Sequence, residues 1–132
     1  MLNPNQFNVN EAWIAFWLNE APIRTEQDGS FNVIALMDAA SCFILATAFV
    51  PIDKSEPSKL ETRRLFKTAR EHKRALPTTL FVPAGAFQDI VAVEAERQGL
   101  SVVPVHESQL LAFIGEARES FRDHFEGRVS EQ

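Results

Sequence analysis

Two apolar runs separated by a short polar connection constrain this chain more than any other feature of its sequence. Residues 31–37 and 42–50 are apolar at nearly every position, without the alternation that a strand with one wet face has. The connection at residues 38–41 has the length and composition of a hairpin turn, so we predict two antiparallel strands. Because neither strand has a polar face, other elements must cover both sides of the sheet.

The remainder of the chain alternates between helix and strand patterns. Ser58 and Glu61 match a capping box at the start of one helix, and Gly99 is suited to end another. The expected elements are helices at 58–76, 87–98 and 107–125, with strands at 78–82 and 101–105. This order predicts a three-layer α/β fold, in which a mixed sheet has an N-terminal antiparallel hairpin followed by two strand–helix units.

The N-terminal segment at residues 11–20 is apolar nearly all round, and Pro22 follows it. We predict an N-terminal apolar helix within residues 1–22, with Asn10 as its cap. Trp13, Phe16 and Trp17 would share one face of that helix. One interpretation is self-association of a homodimer through these three residues, and the other is a helix tucked wholly into its own domain.

Length and composition favour one ordinary globular domain. The chain has 132 residues, of which 45% are hydrophobic, and its single cysteine excludes an intrachain disulfide. We therefore expect a single domain at 1–132, with an α/β core at 31–125 and a tail at 126–132. No apolar run is long enough for a membrane span, and the N-terminus lacks the features of a signal peptide, so a soluble cytoplasmic protein is expected.

Charge is distributed unevenly along the sequence. Residues 54–74 contain eight Lys or Arg and three Glu, whereas the rest of the chain has five basic and fifteen acidic residues. Arg63, Lys67, Arg70 and Arg74 are spaced to share one face of the first long helix. This face is either a solvated surface or a contact surface for an acidic protein or a nucleic acid.

The order of the elements resembles the ribonuclease-H-like fold of nucleases, integrases and transposases. The resemblance covers about residues 31–125 and rests on the order of strands and helices. That fold usually opens with three antiparallel strands, and residues 22–26 or 51–54 would have to supply the third here. The resemblance implies metal-assisted hydrolysis or strand transfer, in which carboxylates hold two Mg²⁺ ions.

The acids that this resemblance requires are incomplete in the sequence. Asp38 fits the position on the first strand, and Glu107, Glu116 or Glu119 fits the position on the last helix. The second position falls near residues 81–85, where there is no acid. Asp38 has an alternative role as the residue that starts the hairpin turn. We accordingly expect neither catalytic residues nor a metal or other cofactor.

His106 and Cys42 are two further candidates for a chemical role. His106 follows a predicted parallel strand, so it could lie with Asp38 in the crevice at the strand ends and bind a metal, or it could pack at the helix start. Cys42 is surrounded by apolar residues, which favours a buried, unreactive thiol over a nucleophile.

These observations favour a small non-enzymatic binding or interaction domain. The alternative is a metal-dependent nuclease or strand-transfer enzyme of ribonuclease-H-like type. A third hypothesis, a small-ligand sensor, requires an apolar pocket at the strand ends, which the sequence does not reveal.

Overall fold

The computed structural model describes residues 2–26 and 29–130, excluding the side chains of residues 125–130. A short 3₁₀ turn at Pro4–Gln6 precedes the sheet. The described residues then form six strands and three helices: β1 (Ala12–Trp17), β2 (Ile23–Thr25), β3 (Gly29–Asp38), β4 (Ile44–Pro51), α1 (Lys59–Lys73), β5 (Thr79–Pro83), α2 (Val91–Arg97), β6 (Ser101–Val105) and α3 (Glu107–Ser130).

The six strands form one mixed sheet with β3 near one side. Strand β4 pairs along one edge of β3, whereas β1 and the short β2 pair with successive parts of its other edge, all antiparallel. Strand β1 then pairs in parallel with β5, and β5 in parallel with β6. The order across the sheet is therefore β4–β3–β1–β5–β6, and the carboxyl ends of β1, β5 and β6 share one edge.

Helices cover both faces of the sheet, and β1 and most of β3 are buried as their apolar sequences predict. The prediction is wrong for β4, which is an edge strand with Phe49 68% exposed. One core cluster joins β-strand residues such as Trp13 and Leu36 to residues of α1 and α2, including Phe66 and Val91. The other joins Ile14 and its neighbours to Leu110 and Ile114 of α3. Helices on both faces of a mixed sheet confirm the predicted three-layer α/β fold and the antiparallel β3–β4 hairpin.

The N-terminal helix prediction is wrong, because residues 12–17 form strand β1. Trp13 and Ala15 face the α1 side of the sheet, whereas Ile14 and Phe16 face the α3 side. A strand covered on both faces has no polar positions, so its sequence does not alternate and resembles a buried helix. Strand β1 also supplies the third antiparallel strand, and β2 adds a short extension within the expected 22–26 segment.

The helix boundaries were predicted more accurately than the N-terminal segment. Helix α1 begins at the residue after Ser58, whose hydroxyl accepts a hydrogen bond from the Glu61 N–H at 3.1 Å. Helix α3 continues through Ser130, so the expected tail is helical over residues 126–130, and residues 131–132 lie outside the description. Within the part of the chain described, no helix is long and apolar enough to cross a membrane.

Candidate functional site

Asp38 is a structural residue of the β3–β4 turn. Its carboxylate is fully buried and accepts hydrogen bonds from the Asn10 N–H at 2.7 Å, and from the Ser41 N–H and hydroxyl at 2.9 and 2.7 Å. A buried carboxylate destabilises a protein unless it is hydrogen-bonded, and these contacts provide partners for both oxygens of Asp38. Of the two roles that the sequence allowed, the geometry fits the turn-forming one.

Asp38 does not join His106 or Glu107 in a common crevice. Strand β3 runs antiparallel to β1 and pairs Asp38 with Trp13, which places Asp38 at the amino end of β1. His106 and Glu107 instead follow the carboxyl end of β6, which is parallel to β5 and hence to β1. Of the two roles that the sequence allowed for His106, the shared site with Asp38 does not fit, because strand direction puts the groups at opposite edges of the sheet. His106 is exposed, and its Nδ1 lies 3.3 Å from the Ser108 hydroxyl.

Cys42 lies between the hairpin turn and β4 rather than within a strand. Burial raises the pKa of its thiol, and the negative charges of Asp38 and Glu116 raise this pKa further. A raised pKa keeps the thiol protonated and unreactive at neutral pH. Glu116 lies on an exposed part of α3, and its charge acts on Cys42 beside the turn.

An arginine occupies the edge of the sheet where the parallel strands end. The Nε of Arg118 donates to the Trp17 carbonyl at 2.9 Å, and its Nη1 pairs with the Glu107 carboxylate at 2.9 Å. The Arg118 side chain is only 12% exposed. Glu107, one of the acids suggested by the resemblance, is thus found at this edge, where it is paired with a cation.

Aromatic packing fills the same edge from the side of β5. The loop after β5 turns at Gly85, which has a φ of +83°, and carries no carboxylate before Asp89. Phe87 of this loop packs against Trp17, with ring centroids 5.0 Å apart. Among the described residues, no three His, Cys, Asp or Glu side chains lie close enough to hold a metal ion together.

The basic face of α1 is exposed along its whole length, as the helical spacing requires. Arg63, Lys67, Arg70 and Arg74 are all classed as solvent-exposed. Lys67, Arg70 and Arg74 line a shallow depression together with Glu71. These residues therefore present several positive charges to solvent from one rigid element.

The basic face continues onto α2, which sequence reasoning missed. A groove of about 360 Å³ lies between the two helices, lined by Arg63, Lys67 and Arg70 on one side and by Arg97 and Gln98 on the other. We call these five residues, together with Arg74, the basic groove. The sequence does not indicate that Arg97 lies beside the basic residues of α1, because α1 and α2 become neighbours only by packing on the same face of the sheet.

One buried carboxylate holds two arginines of the basic groove in place. Glu94 is 7% exposed and contacts Arg97 at 2.6 Å, Gln98 at 2.7 Å and Arg63 at 3.5 Å. Burial by itself would raise the pKa of the Glu94 carboxyl, but the hydrogen bonds from Arg97 and Gln98 and the charges of both arginines outweigh it and lower this pKa. Glu94 therefore stays ionised and orients guanidinium groups from both helices.

The three aromatic residues proposed for self-association are covered by their own chain. Trp13 and Phe16 have no exposed surface, and Trp17 is half-buried against the α1-side core. The Trp13 ring stacks on Phe66 at 6.4 Å, and its Nε1 donates to the Asn10 side chain. The predicted contact surface is therefore wrong, since it depended on a helix with a spare apolar face. The homodimer itself stays a prediction.

Comparisons with known proteins agree with this architecture. Neither protein-family models nor curated proteins give a match to the sequence. Among solved structures, the HTLV-2 integrase catalytic core with magnesium is similar in its trimeric form, with 13% identity and a TM-score of 0.51 over 73% of this chain and 60% of that one. Its dimeric form gives 12% identity and a TM-score of 0.50, over 78% and 62% of the two chains.

A third similar structure is the simian T-cell lymphotropic virus intasome in complex with the PP2A regulatory subunit B56 gamma. It gives 9% identity and a TM-score of 0.55, over 86% of this chain and 37% of that one. The chain thus spans about three-fifths or less of the length of the integrase chains it matches. Identities this low show the fold alone: the chain has a ribonuclease-H-like α/β fold resembling that of integrase catalytic cores.

Proposed function

We propose that this protein is a non-catalytic domain of ribonuclease-H-like fold that binds the phosphate backbone of a nucleic acid duplex through the basic groove. The observation that carries the proposal is the groove itself, in which cations from α1 and α2 face a common space. Arginine predominates there, and its planar guanidinium binds phosphate oxygens in pairs. Nucleic acid is also the class of substrate on which the families sharing this fold act.

The charges at the strand ends support a non-catalytic role. A pair of Mg²⁺ ions needs several carboxylate oxygens to neutralise it, as in the mechanism that the fold resemblance implies. Here Arg118 places a positive charge beside Glu107, the acid that lies at this edge. A cation in that position repels a metal ion and competes with it for the carboxylate.

The shape of the basic groove favours a duplex over a single strand or an acidic protein. Single strands are usually held by stacking of bases on aromatic rings, and none of the residues that line the groove is aromatic. The cations from Arg63 to Arg70 extend about 10 Å along α1, at 1.5 Å per residue, and Arg74 follows at its carboxyl end. A regular row of this length matches the evenly spaced phosphates of a duplex backbone.

Fluorescence anisotropy with a labelled 20-base-pair DNA duplex tests this proposal. We expect micromolar affinity that falls with salt, with a slope of log K against log salt near −3.6 for about four phosphate contacts. Arg70→Gln should weaken binding and reduce the slope by about one. Arg64→Gln is the matched control, because Arg64 lies on the same helix, pairs with Glu61 and does not line the groove. Equal losses in the two variants, or no salt-dependent binding, would contradict the proposal.

Incubation of the same duplex with Mg²⁺ or Mn²⁺ separates this proposal from the metal-dependent alternative. We expect the DNA to remain intact, since Glu107 is paired with Arg118 and the β5 loop has no acid near the strand end. Cleavage by the native protein that is lost in Glu107→Gln would establish nuclease chemistry instead. Asp38→Asn is unsuitable as the test variant, because Asp38 supports the turn.

A further inference from the structure

A second cavity lies on the opposite side of the sheet from the basic groove. It has a volume of about 470 Å³ and opens between the segment that follows β1 and the middle of α3. Leu18, Pro22, Ile23 and Phe121 supply its apolar lining. This volume falls within the range of small-molecule sites in proteins, which bury most of a ligand against apolar side chains.

The charged residues around this cavity are mainly arginines. Among the described residues, Arg24, Arg118 and Arg122 line it together with the carboxylate of Glu20. The Glu20 carboxylate lies 4.0 Å from Arg122, and both side chains are more than half exposed, so water competes with this pair. The Arg118 guanidinium is held through Nε by Trp17 and through Nη1 by Glu107. Because the group is planar, its Nη2 is already oriented before any ligand binds.

We propose that this cavity binds a small organic carboxylate with an apolar body. The apolar body would displace water mainly from Pro22 and Phe121, over the buried side chains of Leu18 and Ile23, which contributes favourable free energy in proportion to the area covered. The carboxylate would lie among the arginines, where a guanidinium offers paired N–H donors to its two oxygens. An uncharged ligand lacks the second interaction, and a cationic one is repelled. The site is independent of nucleic acid binding, because none of its residues belongs to the basic groove.

Amide chemical shifts of the ¹⁵N-labelled protein, titrated with octanoate, test this inference. We expect saturable shifts at sub-millimolar octanoate, concentrated at residues 18–24 and 118–122. Two probes of equal chain length, 1-octanol and octylammonium, isolate the effect of the head group and should bind at least tenfold more weakly. Acetate, which has the head group without the apolar body, should give no saturable shifts.

Exposed arginines around the cavity allow variants that leave the fold intact. Arg24→Gln and Arg122→Gln should each weaken octanoate binding several-fold and the double variant about tenfold or more, whereas Arg64→Gln on α1 should have no effect. Equal affinity for octanol and octanoate would overturn the proposal of a carboxylate site. Shifts confined to other residues, or an octanoate affinity unaffected by the double variant, would overturn it equally.

Discussion

A buried glutamate that caps a helix from a distant part of the chain offers the strongest test of how this fold is held together. Glu56 lies in the connection between β4 and α1, is 7% exposed, and accepts hydrogen bonds of 2.9 to 3.1 Å from the N–H groups of Asp89, Ile90 and Val91. The Val91 N–H is the first of α2 and the other two lie in the turn just before it, whereas the helix's own N-cap residue, Ile90, provides no side-chain hydrogen bond. Glu56 therefore caps the start of α2 with its side chain, although it lies 35 residues before Val91 in the sequence.

Replacing Glu56 by glutamine keeps the size of the side chain and removes one acceptor oxygen and the charge. At least one buried N–H then faces an amide NH₂ group, and a lost charge-assisted bond with an orphaned donor costs about 2–3 kcal/mol. Glu56→Ala, which orphans all three donors, should cost about 3–5 kcal/mol. For a domain of this length, the glutamine variant should lower the Tm by about 10 °C.

Thermal and urea unfolding followed by circular dichroism at neutral pH measures these losses. Glu96→Gln is the control, because Glu96 lies on the exposed side of α2 and its replacement removes the same charge. We expect the control to change the free energy of unfolding by less than about 0.5 kcal/mol. If Glu56→Gln and Glu96→Gln are equally stable, the capping contacts contribute nothing, and the reasoning about α2 fails.

Two further predictions concern buried carboxylates in other parts of the molecule. Asp38→Asn should destabilise the fold by about 2 kcal/mol in urea unfolding, because an amide cannot accept hydrogen bonds from both Asn10 and Ser41, and full stability in this variant would contradict the turn role. The lowered pKa of Glu94 means that its stabilising contribution is complete above the ordinary glutamate pKa of about 4.3 and is lost as the pH falls through the lower value of the folded state. Unfolding measured from pH 7 to pH 2 should therefore show a stability gap between the wild type and Glu94→Gln that closes in acid, and a gap independent of pH would refute this.

The parts of the fold that the sequence predicted are those with local signals. The hairpin, the Ser58 cap and the alternation of helix and strand after residue 58 each depend on neighbouring residues. Strand β1 was missed because its apolar residues serve two cores, so periodicity carried no information. Its composition held a usable signal, since Trp, Ile and Phe are enriched in strands.

The contacts of the candidate sites depend on residues far apart in the sequence, and local patterns could not supply them. The exposure of the α1 basic face followed from helical spacing. Its extension to Arg97 required the packing of α2 beside α1, and the placement of Asp38 required the direction of β3 relative to β1. The pairing of Glu94 with Arg97 is visible as an i, i+3 spacing, but its contact with Arg63 spans 31 positions.

The strand-end edge shows which residues of this sheet folding depends on and which it does not. The core of a ribonuclease-H-like sheet depends on apolar residues such as Ile14 and Leu80, which lie within the strands. A metal site depends instead on a few carboxylates at the strand ends, and in water-exposed positions these contribute little to folding and repel one another. In this chain that edge contains Trp17, Phe87 and Arg118. The two aromatic rings pack together and Arg118 is hydrogen-bonded to Trp17, so the edge is not a cluster of carboxylates that repel one another. An edge packed in this way adds to stability, and the two binding places that we propose, the basic groove and the cavity beside α3, have other residues as most of their lining.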